Sequence, residues 1–327
     1  MIPVLTPSEM AAVDAAAAEP LDVLIGRAGA AVAREALRML GGGYGRRVVV
    51  LAGKGNNGAD GRAAAIQLRR RGARVQVIEA LDAPEQLPEA DLVIDAAYGT
   101  GFHGSYDAPD AGTAAVLAVD IPSGVSGTTG DATGRVLRAT RTVTFAALKP
   151  GLLLGIGRDL AGEIVQADIG LAVRSSVGVV DLADVAAWLP APRVEAHKWD
   201  AALLVVAGGP GMTGAGHLVA AAAQRAGAGM VQLGSPGVAD DVGRPVEAVG
   251  IDLPADRWEA ALGEIARFGA LAVGPGLGRR LGTQASVRAL LATTNLPAVV
   301  DADALVALAG ALAPSSRCRA ADSVLTP

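Results

Sequence analysis

A glycine-rich segment, Gly53–Gly61, lies between two patterns that constrain the fold. The aliphatic run 47–52 before it predicts a buried strand, and residues 62–70 after it predict a helix. A strand, a glycine-rich turn and a helix start offer free N–H groups and a helix dipole that favour an anion. The spacing matches neither G-x-G-x-x-G nor G-x-x-x-x-G-K-[ST]. A tight turn in which Asn and Gly supply unusual dihedral angles therefore stays open as the alternative.

Strand and helix patterns alternate around this segment. Thr6 and Glu9 form a predicted capping box for a helix that ends near residue 18, and a second helix over 21–40 precedes three glycines. Further strands are predicted at 74–79, 91–95, 116–120 and 141–146. The alternation predicts an α/β fold, a parallel sheet with helices on both faces. Ligands of such sheets bind at the carboxyl ends of the strands.

Polar residues gather at those carboxyl ends, and four loops are expected to converge on one site. Asn57, Asp95 and Ser123 offer only oxygen ligands, which suits a hard cation, and the single carboxylate favours a weakly held monovalent ion over Mg²⁺. Asp120 is the predicted acid/base group. Lys149 either stabilises an anion or that carboxylate, or is a solvated loop lysine; His103 is predicted to be a rim contact.

Composition excludes several classes of function. The net charge of −5 and the absence of a basic run with interleaved aromatics argue against nucleic-acid binding. The single cysteine, Cys318, has no partner for an internal disulfide. The N-terminus lacks the pattern of a signal peptide, and no uninterrupted apolar run approaches 18 residues, so no membrane partner and a cytoplasmic location are expected.

The length of 327 residues favours two domains. We predict a first domain over 1–185, a Pro-containing linker over 186–195 and a second α/β unit over 196–327. In the second unit a strand at 202–207 leads through Gly208–Gly216 into a helix over 217–226. Short strands then precede Gly274–Gly278 and Asp301, and the last residues, 323–327, are predicted to begin a strand.

The first half resembles the NAD(P)H-hydrate epimerase domain, also called the YjeF N-terminal domain, a Rossmann-like three-layer sandwich. Four ordered segments carry the resemblance, which spans about residues 6–175: Gly55–Gly61, Asp95 with Gly99–Gly104, Val119–Gly124, and Thr144–Phe145 with Lys149–Gly151. The second half resembles the opening of a ribokinase-like, ADP-dependent NAD(P)H-hydrate dehydratase domain. That resemblance is carried by His197-Lys198, Gly208–Gly216, Arg225–Gly229, Gly274–Gly278 and Asp301–Leu305. Together the halves resemble bifunctional NAD(P)H-hydrate repair enzymes.

The resemblance implies a substrate, NAD(P)HX, which is a nicotinamide cofactor hydrated at C6 of its reduced ring. The epimerase interconverts its R and S forms, and the dehydratase removes water from the S form with ADP. Carried over, Asn57, Asp95 and Ser123 imply a K⁺ site, and Asp120 implies a catalytic, substrate-binding residue. The implied substrate-binding residues are Asn56, Asn57, Gly58, Ala59, Asp60, Gly99, Thr100, Gly101, Phe102, His103, Gly104, Ser105 and Lys149, with Ala215 and Gly276 on the dehydratase side.

The sequence departs from the family pattern at a few places. Ala59 stands where the family has a second glycine, and the connection after Gly104 is too short for a full helix. Because the family's ADP loop and key acid are not found before residue 327, we expect a dehydratase region that is incomplete, ADP-free and inactive. Three explanations stay open: the sequence is a fragment of a bifunctional enzyme, its tail is a degenerate remnant, or a partner completes the domain.

The sequence leaves two alternatives to the epimerase hypothesis. One is a non-catalytic protein-binding module of the same fold, against which the intact Asn57, Asp95, Asp120 and Ser123 argue. The other is a Rossmann oxidoreductase. It is disfavoured because the glycine spacing fails and Glu79, the nearest candidate for a ribose anchor, does not follow at the usual distance. A homo-oligomer is compatible with the sequence.

Overall fold

The computed structural model describes residues 1–189, 191, 193–309 and 323–326. The chain divides into two compact units, Met1–Pro190 and Ala191–Pro327, and the division falls inside the proposed linker 186–195. Two prolines of that linker, Cys318 and Pro327 lie outside the described residues. The interpretations that rest on them therefore stay predictions.

The first unit is built on a parallel sheet. The strands of this unit are β1 (Ile2–Pro3), β2 (Arg47–Ala52), β3 (Arg74–Glu79), β4 (Leu92–Ala96), β5 (Ala115–Val119), β6 (Arg141–Phe145), β7 (Glu163–Ala167) and β8 (Gly178–Val179). Within residues 1–189, six of these strands pair in the order β3-β2-β4-β5-β6-β7, every neighbouring pair being parallel. β1 and β8 form a separate antiparallel pair. The predicted strands are confirmed with shifts of one residue at some ends.

Helices cover the sheet of the first unit unevenly. They are α1 (Pro7–Ala15), α2 (Leu21–Leu40), α3 (Asn56–Arg70), α4 (Gly155–Leu160) and α5 (Leu182–Trp188). α2 and α3 pack with one face of the strands in an aliphatic core. Loop residues such as Leu87 and Ala139 cover much of the other face. The connection from β4 to β5 contains no helix in residues 97–114, as its short length predicts.

The helix ends follow the local sequence signals. Thr6 and Glu9 form the capping box at the start of α1, and Gly41 ends α2 in the left-handed conformation with φ of 66°. α3 begins at Asn56, six residues before the predicted start at Arg62. None of the residues 53–61 has a positive φ, so the alternative of a turn with unusual dihedral angles is wrong. Ala59 is therefore an ordinary helical residue, and its methyl group causes no backbone strain.

Close packing explains why the start of α3 contains Gly58. A Cβ at Gly58 would stand 1.9 Å from the carbonyl oxygen of Gly53, so the start of α3 lies against the backbone of the preceding turn. A Cβ at Gly53 would in turn stand 1.8 Å from the carbonyl oxygen of Ala97, which follows β4. These glycines permit close contact between backbones, and the sequence pattern alone does not distinguish that role from turn formation.

The second unit has the same alternation. Its strands are β9 (Ala202–Val206), β10 (Met230–Gly234), β11 (Val249–Ile251), β12 (Ala270–Val273), β13 (Ala298–Asp301) and β14 (Val324–Thr326), and its helices are α6 (Thr213–Arg225), α7 (Leu281–Thr293) and α8 (Asp303–Leu308). The described strands pair in the parallel order β11-β10-β9-β12-β13-β14. α6 starts inside the glycine-rich segment, earlier than predicted. Across the described parts of both units, no helix has the length and apolarity needed to span a membrane.

The contact between α2 and α3 gives a stability prediction. A Cβ at Gly29 of α2 would lie 2.5 Å from Cβ of Ala63, whereas Gly26 of the same helix has open space around it. Gly29→Ala should lower the free energy of unfolding by about 1–3 kcal/mol through overpacking. The matched change Gly26→Ala should raise that free energy by up to about 1 kcal/mol through helix propensity. Calorimetric unfolding of both variants tests this, and equal shifts in melting temperature would contradict the packing argument.

Candidate active site

A cavity of about 1070 Å³ lies at the carboxyl ends of the strands in the first unit. Its wall comes from segments that follow β2, β3, β4 and β5, and from α1 and α2. The expectation that polar strand-end loops line a common site therefore fits the geometry. The sequence-predicted residues in its wall are Asn56, Asn57, Asp60, Gly99, Thr100, Gly101, Phe102, His103, Asp120 and Lys149. Gly58, Ala59, Gly104 and Ser105 are not part of that wall.

The start of α3 forms one part of the wall. Gly55 is the N-cap residue and supplies no side-chain cap, and the first intrahelical bond runs from Ala59 N to Gly55 O over 3.1 Å. The N–H groups of the first turn have no acceptor within the helix. Together with the helix dipole they make this end of α3 suited to a phosphate group.

Asp95 and Ser123 form a buried pair behind the wall. Asp95 is 1% exposed and Ser123 is fully buried. The Ser123 hydroxyl donates to Asp95 Oδ1 over 2.6 Å, and its backbone N–H donates to Asp95 Oδ2 over 2.9 Å. Burial raises the pKa of Asp95, while hydrogen bonds from Ser123 and from the Ala97 N–H lower it. Within the described chain, no basic side chain forms an ion pair with this carboxyl group.

Asn57 carries an unused amide close to the loop after β4. Both its Oδ1 and its Nδ2 are buried and lack a hydrogen-bond partner among the described residues. A Cβ placed on Gly99 would stand 3.5 Å from Asn57 Oδ1, so this amide faces the Gly99–His103 loop. A buried polar group without a partner costs about 1–3 kcal/mol. The Asn57 oxygen is therefore free to bind a ligand or an ion.

Lys149 is bound to Asp120 at the base of the cavity. Lys149 is 1% exposed, so the alternative of a solvated loop lysine is wrong. Its ammonium group donates to Asp120 Oδ1 over 2.5 Å, to Thr144 Oγ1 over 2.9 Å and to Phe145 O over 3.1 Å. Asp120 has a φ of 68°, a rare conformation for a residue other than glycine. Such strain is often found where a side chain must face a ligand.

Asp60 adds a second kind of carboxyl group to the cavity. It is 7% exposed and has no hydrogen-bond or ion-pair partner among the described residues. Burial, followed by the charges of Asp120 and Asp14, raises the pKa of Asp60 to about 8. At neutral pH this side chain is therefore mainly protonated and can donate a hydrogen bond.

Asp14 and Tyr98 are among the lining residues that the sequence patterns did not predict. Asp14 lies on the face of α1 that also presents Pro7, Met10 and Ala11 to the cavity, and this spacing of three and four residues was visible in the sequence. Tyr98 stacks on Phe102 with 4.3 Å between the ring centroids. It directly precedes the Gly99–Gly104 segment, but nothing in the sequence indicates the stacking. His103 is exposed and lies in the cavity wall, where a rim contact is expected.

In the second unit the two dehydratase-side residues lie together. A Cβ at Gly276, whose φ is 65°, would stand 2.8 Å from Cβ of Ala215. The Gly209 N–H donates to Gly276 O over 2.6 Å. The glycine segments after β9 and β12 therefore meet backbone to backbone.

The raised pKa of Asp60 predicts a pH-dependent stability. Between about pH 4 and pH 8 the folded protein keeps a proton on Asp60 that an unfolded Asp has lost, so the free energy of unfolding falls as pH rises through this range. In Asp60→Asn the side chain does not titrate, so this decrease in the free energy of unfolding is absent. The melting temperature of the variant minus that of the parent should increase from pH 5 to pH 8. The same change at the exposed Asp131 is the control and should give a flat difference; a flat difference for Asp60→Asn would contradict the assignment.

Two family profiles match the chain. The profile described as YjeF-related protein N-terminus matches residues 21–90 and 78–151. The profile described as NAD(P)H-hydrate dehydratase matches residues 203–327. A solved structure, the ADP/ATP-dependent NAD(P)H-hydrate dehydratase of Bacillus subtilis, aligns with 38% of this chain and 45% of that chain, at 31% identity and a TM-score of 0.32.

Curated relatives match across both units. The bifunctional NAD(P)H-hydrate repair enzyme Nnr of Moorella thermoacetica is 36% identical over 323 aligned positions, which cover 81% of this chain and 61% of the relative. The protein of the same name from Salinibacter ruber is 34% identical over 399 aligned positions, which cover 99% of this chain and 73% of the relative. The chain thus spans about three fifths to three quarters of the length of these two relatives. It belongs to the family of bifunctional NAD(P)H-hydrate repair enzymes.

Proposed function

We propose that the first unit is an NAD(P)H-hydrate epimerase, which interconverts the R and S forms of NAD(P)HX. The observation that carries the proposal is the buried Lys149–Asp120 pair in the wall of a cavity that also contains the open start of α3. A paired carboxyl group suits proton transfer, and a helix start suits a pyrophosphate. Relatives named as bifunctional NAD(P)H-hydrate repair enzymes support the substrate class.

The chemistry requires a proton at the C6 oxygen of the hydrated ring. The lone pair of the ring nitrogen forms a C=N bond to C6 while the C6–O bond breaks, and the departing oxygen takes a proton and leaves as water. The product is a planar iminium ion. Water then adds to either face of C6 and gives up a proton. In this proposal the proton shared between Lys149 and Asp120 passes to the departing oxygen through the Asp120 carboxyl group, and Asp120 takes a proton back from the returning water, which restores the pair.

The predicted K⁺ site fits the residues present. Asp95 is buried without a basic partner among the described residues, and Asn57 has a buried amide oxygen without a donor. Ser123, already bonded to Asp95, completes an oxygen-only set that suits a hard monovalent cation. Bound there, K⁺ would supply the positive charge that offsets the desolvated carboxylate.

For the second unit, the proposal concerns only its resemblance to dehydratases and the activity expected of these residues. The resemblance to ADP-dependent dehydratases is supported by the matching profile over 203–327. The expectation that these 327 residues alone do not dehydrate the S hydrate, with or without ADP, stays a prediction. The alternative of a protein-binding module gains nothing from the cavity, because Asp60, Asp120 and Lys149, which are catalytic-type polar groups, lie in its wall.

The central test replaces Asp120 by Asn. The amide keeps the side chain's size and an oxygen for Lys149 but cannot exchange the proton, so R/S interconversion should fall at least about 100-fold. Chromatography of separated R and S hydrates of NADH follows the exchange. Asp131→Asn, the same change at an exposed site, should leave the rate unchanged. Full activity of Asp120→Asn would refute the assignment.

A second test varies the cation. Exchange should be faster in K⁺ than in tetramethylammonium at equal ionic strength, because the larger ion cannot enter a site formed by buried oxygens. Asn57→Ala should raise the K⁺ concentration that gives half of the maximal rate, and alanine is compatible with the helical position of residue 57. Equal rates in both salts, or an unchanged K⁺ titration of Asn57→Ala, would refute the proposed K⁺ site.

A further inference from the structure

The carboxyl end of β3 brings an acidic side chain to the cavity. β3 pairs with β2 so that Glu79, the last residue of β3, stands opposite Ala52, the last residue of β2. The Gly53–Gly55 turn follows Ala52 directly, and both Glu79 and this turn line the cavity. Spacing along the sequence alone disfavours Glu79 as a ribose anchor. The strand order nevertheless places it where an acidic residue binds a ribose in dinucleotide-binding sheets.

Arg62 holds the Glu79 carboxylate in this position. Its guanidinium group donates to Glu79 Oε1 over 2.7 Å and to Oε2 over 2.5 Å. The same guanidinium group donates to the Gly53 carbonyl oxygen over 2.8 Å. The carboxylate is therefore tied to the glycine turn, and the positive charge of Arg62 is already used by Glu79.

The strand order sets Glu79, the start of α3 and Asp120 in a row along one edge of the sheet. The strand order β3-β2-β4-β5 places Glu79 three strands from Asp120, which follows β5, or roughly 14 Å at a strand spacing of about 4.8 Å. The open start of α3, which follows β2, lies between them in this order. With the hydrated ring at Asp120 and the pyrophosphate at α3, the second ribose falls next to Glu79.

The charges around the cavity disfavour an additional phosphate. The acidic lining residues are Asp14, Glu19, Asp60, Glu79, Asp82 and Asp120, and the lysines among the lining residues are Lys54 and Lys149. Lys149 is paired with Asp120. A phosphate on the ribose 2′ oxygen would bring nearly two further negative charges to Glu79 and Asp82. A 2′ hydroxyl can instead donate a hydrogen bond to a carboxylate.

We propose that Glu79 binds the 2′ hydroxyl of the adenosine ribose and makes the first unit prefer the hydrate of NADH to that of NADPH. The proposal rests on the epimerase function proposed above. It adds a specificity-determining residue and names the preferred form of the substrate.

Glu79→Gln provides the test. The parent protein should show a kcat/KM for the NADH hydrate about tenfold above that for the NADPH hydrate, since like charges oppose the wrong ligand. In Glu79→Gln, the value for the NADPH hydrate should rise about tenfold, because a repulsive charge is lost and Arg62 becomes available to the phosphate. The control is Glu89→Gln. Glu89 likewise accepts two hydrogen bonds from an arginine, Arg47, but its side chain is 83% exposed and lies outside the cavity wall. The ratio of the two kcat/KM values in Glu89→Gln should therefore stay at the parent value.

The outcomes separate this proposal from the epimerase assignment. Equal use of both hydrates by the parent protein would overturn the role of Glu79 while leaving the epimerase assignment intact. Equal loss of activity on both hydrates in Glu79→Gln would also overturn it, since this would show only that the Gly53 turn is disturbed. Calorimetric binding of NAD⁺ and NADP⁺ gives a second reading that needs no turnover. Tighter binding of NAD⁺ than of NADP⁺ by the parent, with this preference lost in Glu79→Gln but kept in Glu89→Gln, supports the proposal even if neither hydrate is exchanged. Equal binding of the two by the parent refutes it.

Discussion

The ion pair between Lys149 and Asp120 is the interaction on which the geometry of the cavity depends. A lysine that is 1% exposed is tolerated only when its charge is paired and its donors are bonded. Asp120, Thr144 and the Phe145 carbonyl meet that requirement, and all of them come from the ends of β5 and β6. The need to satisfy one ammonium group therefore fixes two neighbouring loops and keeps the Asp120 carboxyl group, with its unusual φ, directed at the cavity.

The other acidic groups of the cavity adapt to their surroundings in different ways. Asp60 remains mainly protonated at neutral pH because burial and neighbouring carboxylates raise its pKa to about 8. Asp95 is held by Ser123, and Glu79 by Arg62. Near the start of α3 the negative charge of the cavity is therefore smaller than its carboxyl groups suggest, since Asp60 keeps a proton and Asp120 is paired with Lys149.

Sequence patterns were sufficient for the strands and for the convergence of their polar ends. Aliphatic runs marked β2 to β6, and parallel pairing then required that Asp95, Asp120 and the loop before Lys149 reach the same edge. Three features needed coordinates. The sequence did not reveal that α3 begins at Asn56. Gly58 is required there for close packing, and a glycine in the sequence can equally indicate a turn. The burial of Lys149 depends on distant segments. The position of Glu79 beside the glycine turn depends on the strand order, which cannot be read from spacing along the chain.

The close approach of backbones at Gly53 has a mechanical consequence. The turn after β2 touches the start of α3 at Gly58 and the loop after β4 at Ala97, and at each contact one partner is a bare main chain. Main-chain atoms have no rotamers to adjust, so a displacement of one segment is passed to the other two. The start of α3 and the aromatic loop carrying Tyr98 and Phe102 are therefore mechanically coupled through the Gly53 turn. We expect a ligand that shifts one of them to shift the other as well.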